Sequence, residues 1–369
     1  MLSLALGLAL VALMLADVFQ SVLLPRPARR RYRPSASISV YSWRLWLAYA
    51  MRRDDNDQRE ELLGAWAPLA MTMFLAVWVG GLVLGWGLVF WGLGSEIHPV
   101  PDFGTALYFA GTSLLTIGFG DVVATHGVAR AFAVCAGASG FATVAVVTTF
   151  LFSVFGAFQR REVFVVMLGQ RAGAPPSGVK LLRMYARLHL TDELGDLFKV
   201  GQMWTAEIME SHLAYPVLPY FRSTHDYESW VAALGALLDA ATLLISSVEG
   251  IHCGEAEFMH GLGRHLTHDF ADYFHLEFDG EVGVERAEFD LACAELAELG
   301  LRVRNADAAW PLFVQLRRTY ASQLNAMARY WRIPPAQWVG DRSAIRRMHG
   351  GAVTPEMFIE REREDSVTR

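Results

Sequence analysis

Three apolar stretches, at residues 1–24, 65–94 and 128–158, set the terms for how this chain folds. At a rise of about 1.5 Å per residue, each is long enough to cross a hydrocarbon core of about 30 Å as a helix. The remaining sequence could not be less alike. Of 369 residues, 53% are hydrophobic and 19% charged, and the mean hydropathy is +0.27. That is too apolar for a typical soluble enzyme and too charged for a chain buried wholly in lipid. A membrane domain joined to a soluble one reconciles the two. The net charge of −6, with no long basic stripe, argues against nucleic acid as a partner. Cys135, Cys253 and Cys293 share no metal-binding or disulfide spacing, which fits a reducing compartment.

The first stretch competes with a secretory signal peptide. It lacks a basic leading region, and no small-residue cleavage site precedes Pro25, so a retained transmembrane helix is expected at 1–24. Arg26, Arg29, Arg30, Arg31 and Arg33 follow at once and mark the cytoplasmic side. Residues 38–52 mix Trp43, Trp46 and Tyr49 with Arg44 and Arg52, the composition of a helix lying in the membrane interface. Residues 25–64 therefore read as a basic linker with an interfacial helix. In the second stretch, Trp66 lies near one end, with Trp86 and Trp91 towards the other, as an aromatic belt requires. Gln159, Arg160 and Arg161 stop the third. Positive-inside logic puts 25–62 and everything from 159 in the cytoplasm, with the N-terminus and 95–127 outside. The expected protein is multi-pass in the cell (inner) membrane.

Charges return after residue 160. Pro175 and Pro176 mark a linker over 159–178, and a cytoplasmic helical domain is expected over 179–369. Its periodicity predicts helices at 179–188, 191–212, 226–247, 256–276, 284–300 and 308–331. The apolar run 230–247 competes as a fourth span. Asp239 at its centre, and flanks without basic clusters, favour a buried core helix. The final residues, EREREDSVTR, read as a solvated helix end or tail.

Between the second and third stretches lies PDFGTALYFAGTSLLTIGFGDVV. Breaker and polar residues open it, about a dozen apolar and small residues follow, and Thr116-Ile117-Gly118-Phe119-Gly120-Asp121 close it. A cation stripped of water needs oxygen ligands. Backbone carbonyls supply them when successive ones turn to one side, which requires unusual dihedrals at alternate residues. Glycine adopts these at little steric cost. Gly118 and Gly120 alternate with Ile117 and Phe119, whose side chains are expected to pack outward and brace the loop. Non-helical backbone at membrane depth is tolerable only when shielded by protein or lining a wet cavity.

This segment resembles the potassium-channel pore family, whose TVGYG loop forms a filter of backbone carbonyls. The resemblance covers about residues 66–158. It implies that the carbonyls of Thr116, Ile117, Gly118 and Phe119, with the Thr116 hydroxyl, line potassium sites, and that Gly120 and Asp121 form the outer mouth. Tyr108 and Phe109 match the aromatic cuff of the pore helix. Phe119 replaces the commoner tyrosine. Thr112 stands where some relatives have a glutamate partner for the outer aspartate, which implies a less rigid filter. One pore loop supplies a quarter of a fourfold filter, so a homotetramer is implied. The third span becomes the pore-lining inner helix. Gly140 lies at the usual hinge position, with Gly137 about a turn earlier; close helix packing is the other reading of both. Helical spacing puts Phe141, Val144, Thr148 and Phe152 on a cavity face, and Phe152 or Phe155 is placed to form a hydrophobic gate.

The soluble part shows no GxGxxG turn and no strand–helix alternation, so a Rossmann-type regulatory domain is not expected. No span carries a ladder of arginines, which argues against simple voltage sensing. His265, His268, Asp272 and His275 fall within an arc of about 80° on one helix at 100° per residue. They are candidates for a metal site or a proton sensor, against ordinary surface histidines with a helix partner. Asp17, an intramembrane carboxylate, is expected to face protein or water.

The sequence thus describes an all-α membrane protein. It has three transmembrane helices, a re-entrant pore helix and filter loop over 65–158, and a C-terminal soluble helical domain. Potassium is the permeant ion, lipid and further copies of the chain are the partners, and no cofactor or enzymatic activity is expected. The soluble domain leaves room for an unidentified regulator. The competing reading is a membrane-anchored sensor or metal-binding protein whose pore is vestigial or a non-selective cation pore. A transporter subunit fits less well, because such chains typically carry four pore segments.

Overall fold

The computed structural model describes residues 1–23, 34–53, 55–225, 227–280 and 283–340. The arginine cluster at 26–33 and the tail beyond 340 lie outside them. The chain divides into two compact units. One comprises Met1–Gly156 and Ala214–Phe221, the other Ala157–Leu213 and Arg222–Arg369.

In the first unit, α1 (Leu2–Val18) runs on through a wider turn at Phe19–Leu23. It packs along α3 (Asn56–Gly92). The two backbones meet closely. A Cβ on Gly7 would lie 2.5 Å from the Gly85 carbonyl oxygen, so only a small residue fits. Asp17 is buried within this pair and accepts a hydrogen bond from the Trp78 indole at 2.8 Å. An intramembrane carboxylate is thereby satisfied by a neighbouring helix. Between α1 and α3 comes α2 (Pro34–Ala50). Its Trp43 stacks edge-on against Trp66 of α3 at 5.1 Å and against Tyr220 at 4.9 Å. Its Trp46 indole donates to the Leu62 carbonyl at 2.7 Å. Tyr220 belongs to Ala214–Phe221, the part of the first unit most distant in sequence.

The short α4 (Phe103–Leu114) and the long α5 (Gly127–Ala172) complete this unit's framework. Phe109 of α4 packs on Phe90 of α3 at 4.7 Å, and Trp91 on Phe103 at 5.5 Å. Trp86 donates to Ser139 Oγ at 3.0 Å, tying α3 to α5. Two-residue strands β1 (Ile97–His98) and β2 (Val123–Ala124) pair antiparallel across the connections on either side of α4.

α5 does not stop at Gln159-Arg160-Arg161 but continues to Ala172, so most of the expected linker is helix. Arg160 stays exposed, 3.8 Å from Glu207. Arg161 is buried and pairs with Glu162 at 2.8 Å. No breaker arrives before Gly173-Ala174-Pro175-Pro176.

The second unit holds α6 (Gly178–Arg187), α7 (Leu194–Ala214), α8 (Trp230–Ser247), α9 (Gly254–Tyr273), α10 (Arg286–Glu298), α11 (Ala306–Arg317) and α12 (Ala321–Tyr330). A β3–β4 pair (Val248–Glu249 with Arg302–Val303) joins the end of α8 to the segment before α11. The single helix expected at 308–331 is two, divided at Arg318–Tyr320. Among the described residues, four helices are long and apolar enough to cross a membrane: α1 with its extension, α3, α5 and α8. They differ in cover. In α8, 94% of the apolar window is buried within protein, against 28% in α1 and α5 and 44% in α3. Helices α6, α9, α11 and α12 pack around α8. Its central Asp239 pairs with Arg317 and accepts a hydrogen bond from Tyr320 at 2.6 Å. Arg317 also donates to the Trp338 carbonyl at 2.5 Å. Both contacts to Asp239 fall on its Oδ1, while its Oδ2 is buried with no hydrogen-bond partner among the described residues. A charge in a protein core is retained by such pairing. The chain is thus a largely α-helical, multi-spanning membrane protein with a C-terminal helical region.

His212 of α7 is fully enclosed between Trp230 at 5.1 Å and Phe270 at 6.1 Å. Its Nε2 lies 3.4 Å from the Arg161 guanidinium, which only donates, so the ring is neutral there. Burial, with Arg161 beside it, holds the imidazole well below its ordinary value near 6.5. The unfolded chain therefore binds a proton that the folded chain refuses as pH falls below about 6.5. Stability is complete above that pH and declines below it. Thermal unfolding of the purified protein from pH 7.5 to 5.5 should show this decline. It should be shallower in His212→Phe, which fills the same aromatic gap. An equally steep decline in that variant would count against His212 as its source.

Candidate functional site

The site is the loop between α4 and α5, held by local bonds at its entrance. Asp102 caps α4 by accepting the Thr105 N–H at 2.7 Å. At the other end, α4 directs its partial negative charge towards the residues that follow, which favours a cation there. Ile117 and Gly118 both donate their N–H groups to the Thr112 carbonyl, at 2.8 and 3.3 Å, and Thr116 donates to Ser113 at 3.1 Å. The chain then rises through Thr116, Gly118 and Gly120 with φ of 55°, 62° and 81°. Left-handed backbone at every second residue is the alternation that turns successive carbonyls to one side. The two glycines adopt it freely. Thr116, β-branched, does so against its preference, a strain that persists where surroundings or function require it.

The expected support residues have distinct surroundings. Phe109 is buried against α3. Thr112 is buried too, but its hydroxyl bonds the Phe109 carbonyl at 3.1 Å. The Tyr108 side chain, 40% exposed, lies near Asp121. Ile117 and Phe119 are 50% and 72% exposed, so the described residues of the chain leave them largely uncovered. The far side of the loop is fixed by Glu96, which sequence reasoning missed. Its backbone carbonyl accepts from Thr125 N–H and from the Thr125 hydroxyl, both at 2.8 Å. Its carboxylate accepts the Ala129 N–H at 3.0 Å, in the first turn of α5. A separation of 33 residues hides that cap from any local pattern.

On α5, Gly140 lies where an added Cβ would run into the Leu114 carbonyl oxygen and lie 2.8 Å from its carbon. Gly137 has more room, with Ser113 O at 3.3 Å. The helix is continuous through both. Phe141, Val144 and Phe152 are 73%, 50% and 75% exposed, and Thr148 is also exposed. Phe155 rests on Phe221 at 6.0 Å, and Phe150 on Tyr215 at 5.5 Å.

The histidines of α9 have separate partners. His265 pairs with Asp269 at 3.4 Å, and His268 Nε2 bonds the Thr319 carbonyl at 3.1 Å. α9 ends at Tyr273, and His275 lies beyond it with φ of 52°, so helical periodicity no longer aligns it with the others. His265, His268, Asp272 and His275 do not converge. Among the described residues, no three His, Cys, Asp or Glu side chains are placed to hold a metal ion.

Comparison with known proteins bears on the span α3–α4–loop–α5. Residues 72–157 match the family model described as "Ion channel", so this part of the chain carries an ion-channel family segment. That class is one of channels and not of enzymes. A stretch of 209 residues, 54% of this chain, is 23% identical to the "Uncharacterized membrane protein YdjJ" of Bacillus subtilis (strain 168). The match spans 58% of that relative's length. No solved structure matches.

Proposed function

We propose that this chain is one subunit of a homotetrameric, potassium-selective channel. Its filter is Thr116–Asp121 and its pore-lining helix is α5. The observation that carries the reading is the left-handed backbone at Thr116, Gly118 and Gly120, directly after a capped helix that ends at the loop. Four such loops around one axis supply rings of oxygens that replace a potassium ion's water. The exposure of Ile117 and Phe119 in a single chain supports assembly, since neighbouring subunits would cover them. Three helices, α1, α3 and α5, cross the membrane, while α8 is the core of a cytoplasmic domain. The N-terminus is outside. Asp121 sits at the outer mouth.

Flux through purified protein in liposomes tests this directly. Potassium should pass and sodium should be excluded by at least an order of magnitude. Equal passage of both would keep the channel and remove the selectivity.

A further inference from the structure

α2 presents one face to protein and another that no described residue covers. Trp43 and Ala50 are buried, and Trp43 lies against Trp66 and Tyr220. The opposite face exposes Tyr41 at 65%, Leu45 at 74% and Tyr49 at 43%, spaced four residues apart. Arg44, Arg52 and Arg53 are exposed beside this stripe. Among the described residues none of the three has a carboxylate partner. Arg53 donates only to the Tyr49 hydroxyl at 3.0 Å, and its guanidinium lies over that ring at 5.5 Å.

We infer that this face is a docking surface for anionic phospholipid headgroups. Its sequence position gives continuity with the bilayer, because α2 joins two membrane-length helices and packs on the first turns of one of them. Its chemistry is that of an interfacial helix. Tyr41 and Tyr49 have apolar rings with a polar tip suited to headgroup depth, and Leu45 reaches the acyl boundary. The three cations, without a carboxylate partner among the described residues, select the sign of the lipid. A basic residue near an anionic surface is favoured by about 1 kcal/mol, which corresponds to roughly fivefold in local lipid occupancy. The proposal stands on the membrane architecture alone and does not depend on ion selectivity.

Site-specific fluorescence quenching tests it in the full-length protein. Cys135, Cys253 and Cys293 are replaced by serine, and a fluorophore is placed through Leu45→Cys. Liposomes contain equal low fractions of headgroup-nitroxide phosphatidylglycerol or headgroup-nitroxide phosphatidylcholine. Quenching by the anionic label should exceed that by the zwitterionic one by at least the roughly fivefold that a single basic residue gives. Arg44→Gln, Arg52→Gln and Arg53→Gln together should bring the two to parity without loss of folded protein. Equal quenching by both labels before those changes would overturn the anionic preference. Protection from lipid and aqueous quenchers alike would put a second copy or another protein on the face. Quenching by aqueous reagents alone would put it in water. Either of the last two results overturns the proposal.

Discussion

Gly118→Ala abolishes selective potassium flux in liposomes while the protein still assembles and purifies. The argument separates two causes. Within one chain nothing lies within 4 Å of a Cβ added at Gly118, so no local clash arises. The backbone there has φ of 62°, which costs an L-residue roughly 1–2 kcal/mol. In a fourfold filter that cost is paid four times, roughly 4–8 kcal/mol, and relaxing it swings a carbonyl off the axis. Thr116 already holds φ of 55° without glycine, so the loop has little tolerance left. The measurement is the ratio of potassium to sodium flux, with oligomeric state monitored by sizing. Retained selectivity in Gly118→Ala would remove Thr116–Asp121 as the filter.

Gly140→Ala should be as damaging, for a different reason, and it distinguishes the two readings of that glycine. The new methyl group meets main-chain atoms of Leu114, which cannot rotate away. α5 and the end of α4 must separate, and Leu114 lies two residues before Thr116, so the strain enters the loop directly. Overpacking of this kind costs about 1–3 kcal/mol. Alanine in place of a purely hinge glycine would instead gain up to about 1 kcal/mol of helix propensity. Thermal stability in detergent therefore decides. Gly140→Ala should lose both flux and stability, while Gly137→Ala, with 3.3 Å of clearance, should be nearly neutral. A Gly140→Ala protein more stable than wild type but unable to open would favour the hinge.

What could be read from the sequence follows from the range of the interactions involved. Apolar runs give the long helices, because membrane length and 3.6-residue periodicity are local properties. The glycine alternation at 118 and 120 announces the loop's backbone for the same reason. Partners distant in sequence left no such mark. Tyr108 lies near Asp121 across 13 positions, Glu96 reaches Ala129 across 33, and Asp239 meets Arg317 across 78. The α5 boundary was misplaced because Arg160 and Arg161 look like a stop. Arg161 is instead buried with Glu162 beside it and lets the helix run on. The histidines looked convergent because periodicity was extended past Tyr273, where the helix ends.

The placement of Ala214–Phe221 in the first unit has a practical corollary. The chain passes between its two units three times, after Gly156, after Leu213 and after Phe221. The membrane unit is therefore not excisable by one cut. A fragment ending near residue 158 would keep Trp43 and Trp66 but lose Tyr220, which both rings contact. It would likewise strip Phe150 of Tyr215 and Phe155 of Phe221. Any minimal pore built from this protein has to bring an eight-residue piece of the distant sequence with it.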